Sequence, residues 1–250
     1  MTDVQPRITV LADPAAVAVA AADAIAATVS ARPDAVIALP TGSTPLPLFR
    51  ELHARIARGD LDLSRVRLFC LDEYVGATPD DPNSLIGWLQ ASFIDGSGIA
   101  EANIVRVPAA AADPDAAARD YERALRDVGG LDLAVLGLGP NGHIAYNEPG
   151  SAPGSRTRTL ELTPESIAQA QAYWKPGVAT PHRAITMGVG TLLESRRILL
   201  IVTGAAKSGI LRRSLEEPMS ADVPASWLRL AGDRVQVIAD AAAAAALGGR

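Results

Sequence analysis

The feature that most limits how this chain can fold is a repeated alternation. Short apolar runs with no polar face are each followed by a longer segment of helical spacing. The runs fall at 8–11, 36–39, 66–71, 133–138, 198–202 and 235–238. Apolar residues occupy both parities within them, as in strands covered on both faces of a parallel sheet. Helical patterns fall at 14–31, 45–58, 84–93, 115–128, 164–172, 205–216 and 241–247. Such alternation with right-handed crossovers predicts an α/β fold, a doubly wound and mostly parallel sheet with helices on both faces, Rossmann-like. The 250 residues are read as a single domain, 1–250. Within it the polar, proline-containing stretch 151–181 breaks the alternation and is a candidate lid.

Charge and rare residues narrow the chemistry. The 23 basic and 28 acidic residues give a net charge of −5, with no basic run. Nucleic acid is therefore not an expected partner, and an anionic ligand would need positive charge gathered locally. Cys70 is the one cysteine, which excludes an internal disulfide and a cysteine cluster. With only His53, His143 and His182 as histidines, no metal site is expected. The alanine-rich stretch 14–31 contains Asp23 and lacks a basic flank. It reads as a helix capped by Asp13 with Pro14 at its first position, not as a signal segment. No stretch is expected to span a membrane, and the chain is read as soluble and cytoplasmic.

In open α/β sheets, ligands bind at the carboxyl ends of the strands. The richest segment there is Gly137-Leu138-Gly139-Pro140-Asn141-Gly142-His143-Ile144-Ala145-Tyr146-Asn147-Glu148-Pro149-Gly150. Its glycines permit a sharp turn and close approach to a ligand. His143 and Glu148 are equipped for proton transfer, although a glycine-rich turn with a surface histidine would read similarly.

Three more loops follow the same strand-to-helix logic. Pro40-Thr41-Gly42-Ser43-Thr44-Pro45 offers amides, hydroxyls and a helix N-terminus to an anion, or is simply a capped turn with Pro45 at the first helical position. It has no Walker lysine, so an NTPase is not implied. Leu71-Asp72-Glu73-Tyr74 places two adjacent acids at a strand end, and extended backbone points them apart, so one faces the ligand. Thr203-Gly204-Ala205-Ala206-Lys207 places a lysine near a helix N-terminus. That is unfavourable for the helix alone and favourable beside a bound phosphate; a solvated surface lysine is the alternative.

From about 35 to 240, these loops in this order resemble the glucosamine-6-phosphate deaminase (isomerase) family. The matching pieces include Leu39-Pro40-Thr41-Gly42-Ser43-Thr44-Pro45, Leu71-Asp72-Glu73-Tyr74-Val75-Gly76, the Asn141 to Gly150 segment, Ser155-Arg156-Thr157-Arg158 and Ala184-Ile185-Thr186-Met187-Gly188-Val189. The resemblance implies a reaction without metal or cofactor, in which glucosamine 6-phosphate and water give fructose 6-phosphate and ammonia. It implies that His143 opens the sugar ring, oriented by Asn141 and Glu148, and that Asp72 moves a proton from C2 to C1. Thr41, Gly42, Ser43, Thr44 and Lys207 would hold the phosphate of a small sugar substrate.

Three positions depart from the family pattern. Asn141 stands where many members carry aspartate. Ala172, before Tyr173-Trp174, stands where an arginine usually meets the phosphate, with Lys175 and Arg183 as nearby replacements. Leu160 stands where allosterically regulated members carry lysine, which argues against an effector response although Ser151 and Arg158 are kept. Galactosamine-6-phosphate deaminase is the nearest rival, since one inverted hydroxyl needs the same proton chemistry. Related 6-phosphogluconolactonases share a Gly-His in the long loop but typically lack Asn-Glu-Pro and show Asp-Glu-Arg. A non-catalytic sugar-phosphate sensor is a further alternative, but such proteins normally add a helix-turn-helix, and none is expected before Ile8. Monomers and hexamers both occur in the family, and the sequence favours neither.

Overall fold

The computed structural model describes residues 5–81, 83–171 and 181–248. Ten strands occur among them: β1 (Arg7–Leu11), β2 (Val36–Leu39), β3 (Arg67–Cys70), β4 (Asp72–Tyr74), β5 (Ile104–Val105), β6 (Leu133–Gly137), β7 (Arg158–Glu161), β8 (Arg183–Thr186), β9 (Arg197–Val202) and β10 (Val235–Asp240). Seven form one parallel sheet in the order β1-β10-β9-β6-β2-β3-β5. All six expected strands belong to it. In β2 every residue is buried, as are all but the first of β9, because both sheet faces are covered.

The helices are α1 (Pro14–Ala31), α2 (Leu46–Arg58), α3 (Leu85–Leu89), α4 (Pro114–Asp127), α5 (Pro164–Gln171), α6 (Val189–Leu193) and α7 (Ser208–Glu216). In α1 the Asp13 side chain accepts the Ala16 amide at 2.9 Å, and Pro14 occupies the first position, as expected. Contrary to expectation, α1 is long and apolar enough to cross a membrane by length and composition, with 18 residues and mean hydropathy 1.6. Here Val17, Ala21, Ile25 and Val29 lie in the core, and the helix covers β10 and packs on α2. The expected helix at 84–93 changes hydrogen-bonding period partway, with α3 passing into a π-helical turn, Gln90–Ile94. The expected helix at 241–247 is instead a run of turns. Of its six alanines only Ala243 is buried, with Ala244 and Leu247 packed against the core beside it; seven residues are short for a stable helix.

A second, three-stranded antiparallel sheet in the order β4-β8-β7 was not expected. It begins one residue beyond β3, so the chain leaves the main sheet and at once enters the small one. The main sheet reverses its winding between β2 and β6: the chain runs outward from β2 through β3 to β5, and outward from β6 through β9 to β10. That reversal places the loops after β2 and β6 side by side, where an open sheet forms its binding crevice.

Candidate active site

A cleft of about 180 Å³ lies at this reversal. Its walls include Thr41, Gly42, Ser43 and Thr44 after β2, Asp72 and Tyr74 on β4, Gly139, His143 and Tyr146 after β6, and Lys207 after β9. Four loops far apart in sequence therefore meet as expected. Asn141 and Glu148 do not line the cleft; they stand behind His143.

Asp72 and Glu73 part as the strand geometry requires. Asp72 faces the cleft, and its carboxyl pKa is pushed up to about 8, first by burial and then by the Glu73 charge, with the Tyr146 amide acting in the opposite sense. Glu73 accepts the amides of Tyr74, Leu85 and Ile86 at 2.8–2.9 Å, capping α3. Burial raises the Glu73 pKa despite these three donors.

His143 is held from behind. Its Nδ1 lies 3.5 Å from Glu148 Oε2 and 3.2 Å from the Ser166 hydroxyl. Asn141 Nδ2 donates to Glu148 at 2.8 Å, while Asn141 Oδ1 accepts the His143 backbone amide at 3.1 Å. Asn141 thus fixes the loop and the carboxylate, and reaches the imidazole through them. Burial pushes the Glu148 pKa upward, but the neighbouring His143, Ser166 and Asn141 side chains outweigh it and leave the pKa below the usual range. The edge of the ring bearing Nε2 packs over Gly139, where a Cβ would come within 2.3 Å of Nε2. Only glycine fits there. The turn that follows carries Gly142 at φ +89° and Ala145 at φ +48°, a left-handed conformation that side chains resist.

At the other end of the cleft, the first turn of α2 has no side-chain cap, and Pro45 is its capping residue, not its first helical one. The loop Thr41 to Thr44 ahead of that turn lines the cleft and offers its hydroxyls and amides to an anion. Gly204, at the start of the 3₁₀ turn Ala205–Lys207, donates its amide to the buried Asp240 carboxylate at 3.0–3.1 Å. Lys207 lies at the N-terminus of α7. Burial alone lowers its pKa, with no acidic neighbour raising it. A half-buried ammonium at a helix N-terminus, in the same cleft as the Thr41 to Thr44 loop, is what a phosphate would neutralise.

Several cleft residues carried no expectation. The Tyr74 and Tyr146 hydroxyls meet at 2.7 Å across the cleft wall, although both lay within quoted motifs. Ser166 and Thr163, which support His143 and Glu148, were legible only as a cap: Thr163 precedes Pro164, and its hydroxyl accepts the Ser166 amide at 3.3 Å. Arg183 does not replace an arginine at position 172. It pairs with Glu161 at 3.3 Å and is absent from the cleft wall. Ala172, Tyr173, Trp174 and Lys175 lie outside the described residues. Ser151 and Arg158 pair with one another at 2.8 Å, and Arg158 also donates to Asn147 at 2.9 Å. Among the described residues, no group of three His, Cys, Asp or Glu side chains is arranged to hold a metal.

Comparison with known proteins agrees with this geometry. The family model described as glucosamine-6-phosphate isomerases/6-phosphogluconolactonase matches residues 12–237. A glucosamine-6-phosphate deaminase of Arthrobacter sp. (strain FB24) is 42% identical over 227 residues, 91% of this chain and 87% of that protein. One from Corynebacterium aurimucosum is 40% identical over 241 residues, covering 96% and 94%. Among solved structures, a monomeric glucosamine-6-phosphate deaminase superposes with a TM-score of 0.92 at 34% identity, covering 96% of this chain and 99% of that one. The 6-phosphogluconolactonase of Trypanosoma brucei has the same fold, with a TM-score of 0.77 at 21% identity over 98% of this chain and 99% of that one.

Proposed function

The chain belongs to the glucosamine-6-phosphate isomerase/6-phosphogluconolactonase family, and on that premise we propose that its cleft converts glucosamine 6-phosphate and water to fructose 6-phosphate and ammonia. The observation that carries this reading is Asp72, a desolvated carboxyl at the cleft wall with its pKa raised to about 8. A base removing hydrogen from carbon needs a high pKa, and burial supplies it.

Opening the pyranose moves a proton from the C1 hydroxyl to the ring oxygen. One imidazole at the cleft, His143, takes the first proton and delivers the second, with Glu148 and Asn141 holding it from behind. In the open-chain sugar the C2 hydrogen is acidified by the C1 aldehyde. Asp72 removes it to give an enolamine and returns it to C1. The nitrogen is then an imine at C2; water adds there and ammonia departs, which balances the reaction. A single carboxylate serves both carbons because they are one bond apart. The loop of Thr41, Gly42, Ser43 and Thr44, with Lys207, holds the phosphate and fixes the sugar's register.

The chain works as one domain, with α5 as part of the cover of the cleft. That helix contributes Ser166, Gln169 and Ala170 to the wall. All the residues given roles come from one chain, so no second copy is needed to complete them. The enzyme acts in amino-sugar metabolism as a soluble cytoplasmic protein, on a phosphorylated and therefore membrane-impermeant substrate.

Ammonia release from glucosamine 6-phosphate and galactosamine 6-phosphate, measured side by side, tests the assignment. Turnover of the gluco epimer that falls by about 10²–10⁴-fold in Asp72→Asn is expected. Preferential turnover of the galacto epimer would reassign the substrate. Hydrolysis of 6-phosphogluconolactone that survives Asp72→Asn, with no ammonia from either sugar, would replace the deaminase by a lactonase.

A further inference from the structure

We propose that Ser166 is a positioning residue that fixes the tautomer of His143, so that the first turn of α5 decides whether the imidazole can act. The proposal rests on the assignment of His143 to ring opening. Nδ1 stands 3.5 Å from a Glu148 oxygen, and that carboxylate is held ionised by its donors. A bare lone pair on Nδ1 would face negative charge, so Nδ1 carries the proton. The separation from Glu148 is long for a direct hydrogen bond, and the Ser166 hydroxyl, at 3.2 Å, is the nearer acceptor. Ser166 Oγ lies 3.3 Å from Thr163 Oγ1, which in turn stands 3.2 Å from the Glu148 carboxylate. The order is therefore Nδ1–H to Ser166 Oγ, with the Thr163 hydroxyl between Ser166 and the carboxylate. Nε2, at the ring edge over Gly139, is then the nitrogen that accepts a proton from the substrate's C1 hydroxyl.

The rest of that turn is built around the same contact. Ser166 is 1% exposed. Thr163 donates its hydroxyl to Glu148 at 3.2 Å and its amide to the other carboxylate oxygen at 3.4 Å. Ser166, Gln169 and Ala170 share one face of α5 at helical spacing and line the cleft together. The helix face that walls the substrate is thus also the one that sets the histidine.

Nitrogen-15 NMR of histidine-labelled protein reads the tautomer directly, with His143→Gln identifying the resonances. Wild type should show one dominant form, Nδ1 protonated and Nε2 bare. Ser166→Ala should convert it to a mixture and lower kcat about tenfold with little change in KM, while Ser166→Thr restores both. Alanine is the better helix former, so loss of the helix is not a competing cause. An unchanged tautomer pattern in Ser166→Ala overturns the proposal, whether or not turnover falls. Should wild type release no ammonia, the ring-opening reading fails, and the nitrogen pattern still decides what Ser166 does.

Discussion

Asp72 and Glu73, adjacent on β4, divide one negative environment between two functions. The Glu73 carboxylate is fixed by the Leu85 and Ile86 amides at the start of α3 and by the amide of its neighbour Tyr74. From that fixed position its charge adds to the burial that raises the Asp72 pKa to about 8. The strand needs no more than its alternation of side chains to send one acid to the cleft and the other to a helix cap.

The pH dependence of kcat/KM should therefore rise towards a plateau with an apparent pKa near 8, since only ionised Asp72 can accept the C2 proton. The substrate amine titrates in the same range, about 8, and would not respond to an enzyme substitution. Glu73→Gln should move the enzymic limb towards acid by about one unit, because a like charge beside Asp72 is removed. A limb that stays in place would assign the titration to the substrate.

Asp72→Asn should abolish turnover and yet stabilise the fold at neutral pH. The folded carboxyl titrates near 8 against 3.8 for an ordinary aspartate, so the unfolded chain releases its proton first. The stability contribution of this group is present below pH 3.8 and is lost as pH rises to about 8. Asparagine removes the ionisation and the loss together. Thermal melts at pH 5 and pH 8 should show the variant's advantage growing with pH; an advantage that shrinks would mean Asp72 is ionised without penalty.

Much of this was legible in the sequence because it depends on local patterns. The apolar parities of 36–39 reproduce β2 to the residue, and the glycines and polar residues of four loops identified the cleft. The small sheet was not legible, since β4 is three residues long and two are acids, and a hydropathy pattern sees only a loop. Its pairing with β8 joins residues more than a hundred positions apart, a relation no local window contains. The alanines after Asp240 misled for the opposite reason. Their helix propensity is high, but the segment continues as turns, with the Asp240 carboxylate linking it to the loop that carries Lys207 through the Ala243 and Gly204 amides. Ser166 escaped notice because a serine in the first turn of a helix needs no explanation beyond the cap.

Gly139→Ala should inactivate the enzyme without unfolding it. The added Cβ would lie 2.2–2.5 Å from three atoms of the His143 ring, so the ring must shift by roughly an ångström. Displacement of that size costs about a hundredfold in rate, while overpacking of this kind destabilises by about 1–3 kcal/mol. Turnover reduced a hundredfold in a protein that still melts cooperatively is the expected pair of results. Near-normal turnover would show that His143 does not work from this position.

Lys207→Ala should weaken phosphate binding and leave the proton chemistry intact. The lysine is half-buried, its pKa is lowered by burial, and it lines the same cleft as the loop of Thr41 to Thr44. Desolvating a cation at the N-terminus of α7 is unfavourable until an anion arrives. A charged hydrogen bond to the substrate should thus be lost with the side chain, raising KM by roughly ten- to a hundredfold. Competitive inhibition by inorganic phosphate should weaken in parallel, because phosphate alone probes this end of the cleft. If KM for the sugar phosphate rose while the phosphate inhibition constant stayed unchanged, Lys207 would instead be reading the sugar, and the anion would rest on the loop of Thr41, Gly42, Ser43 and Thr44.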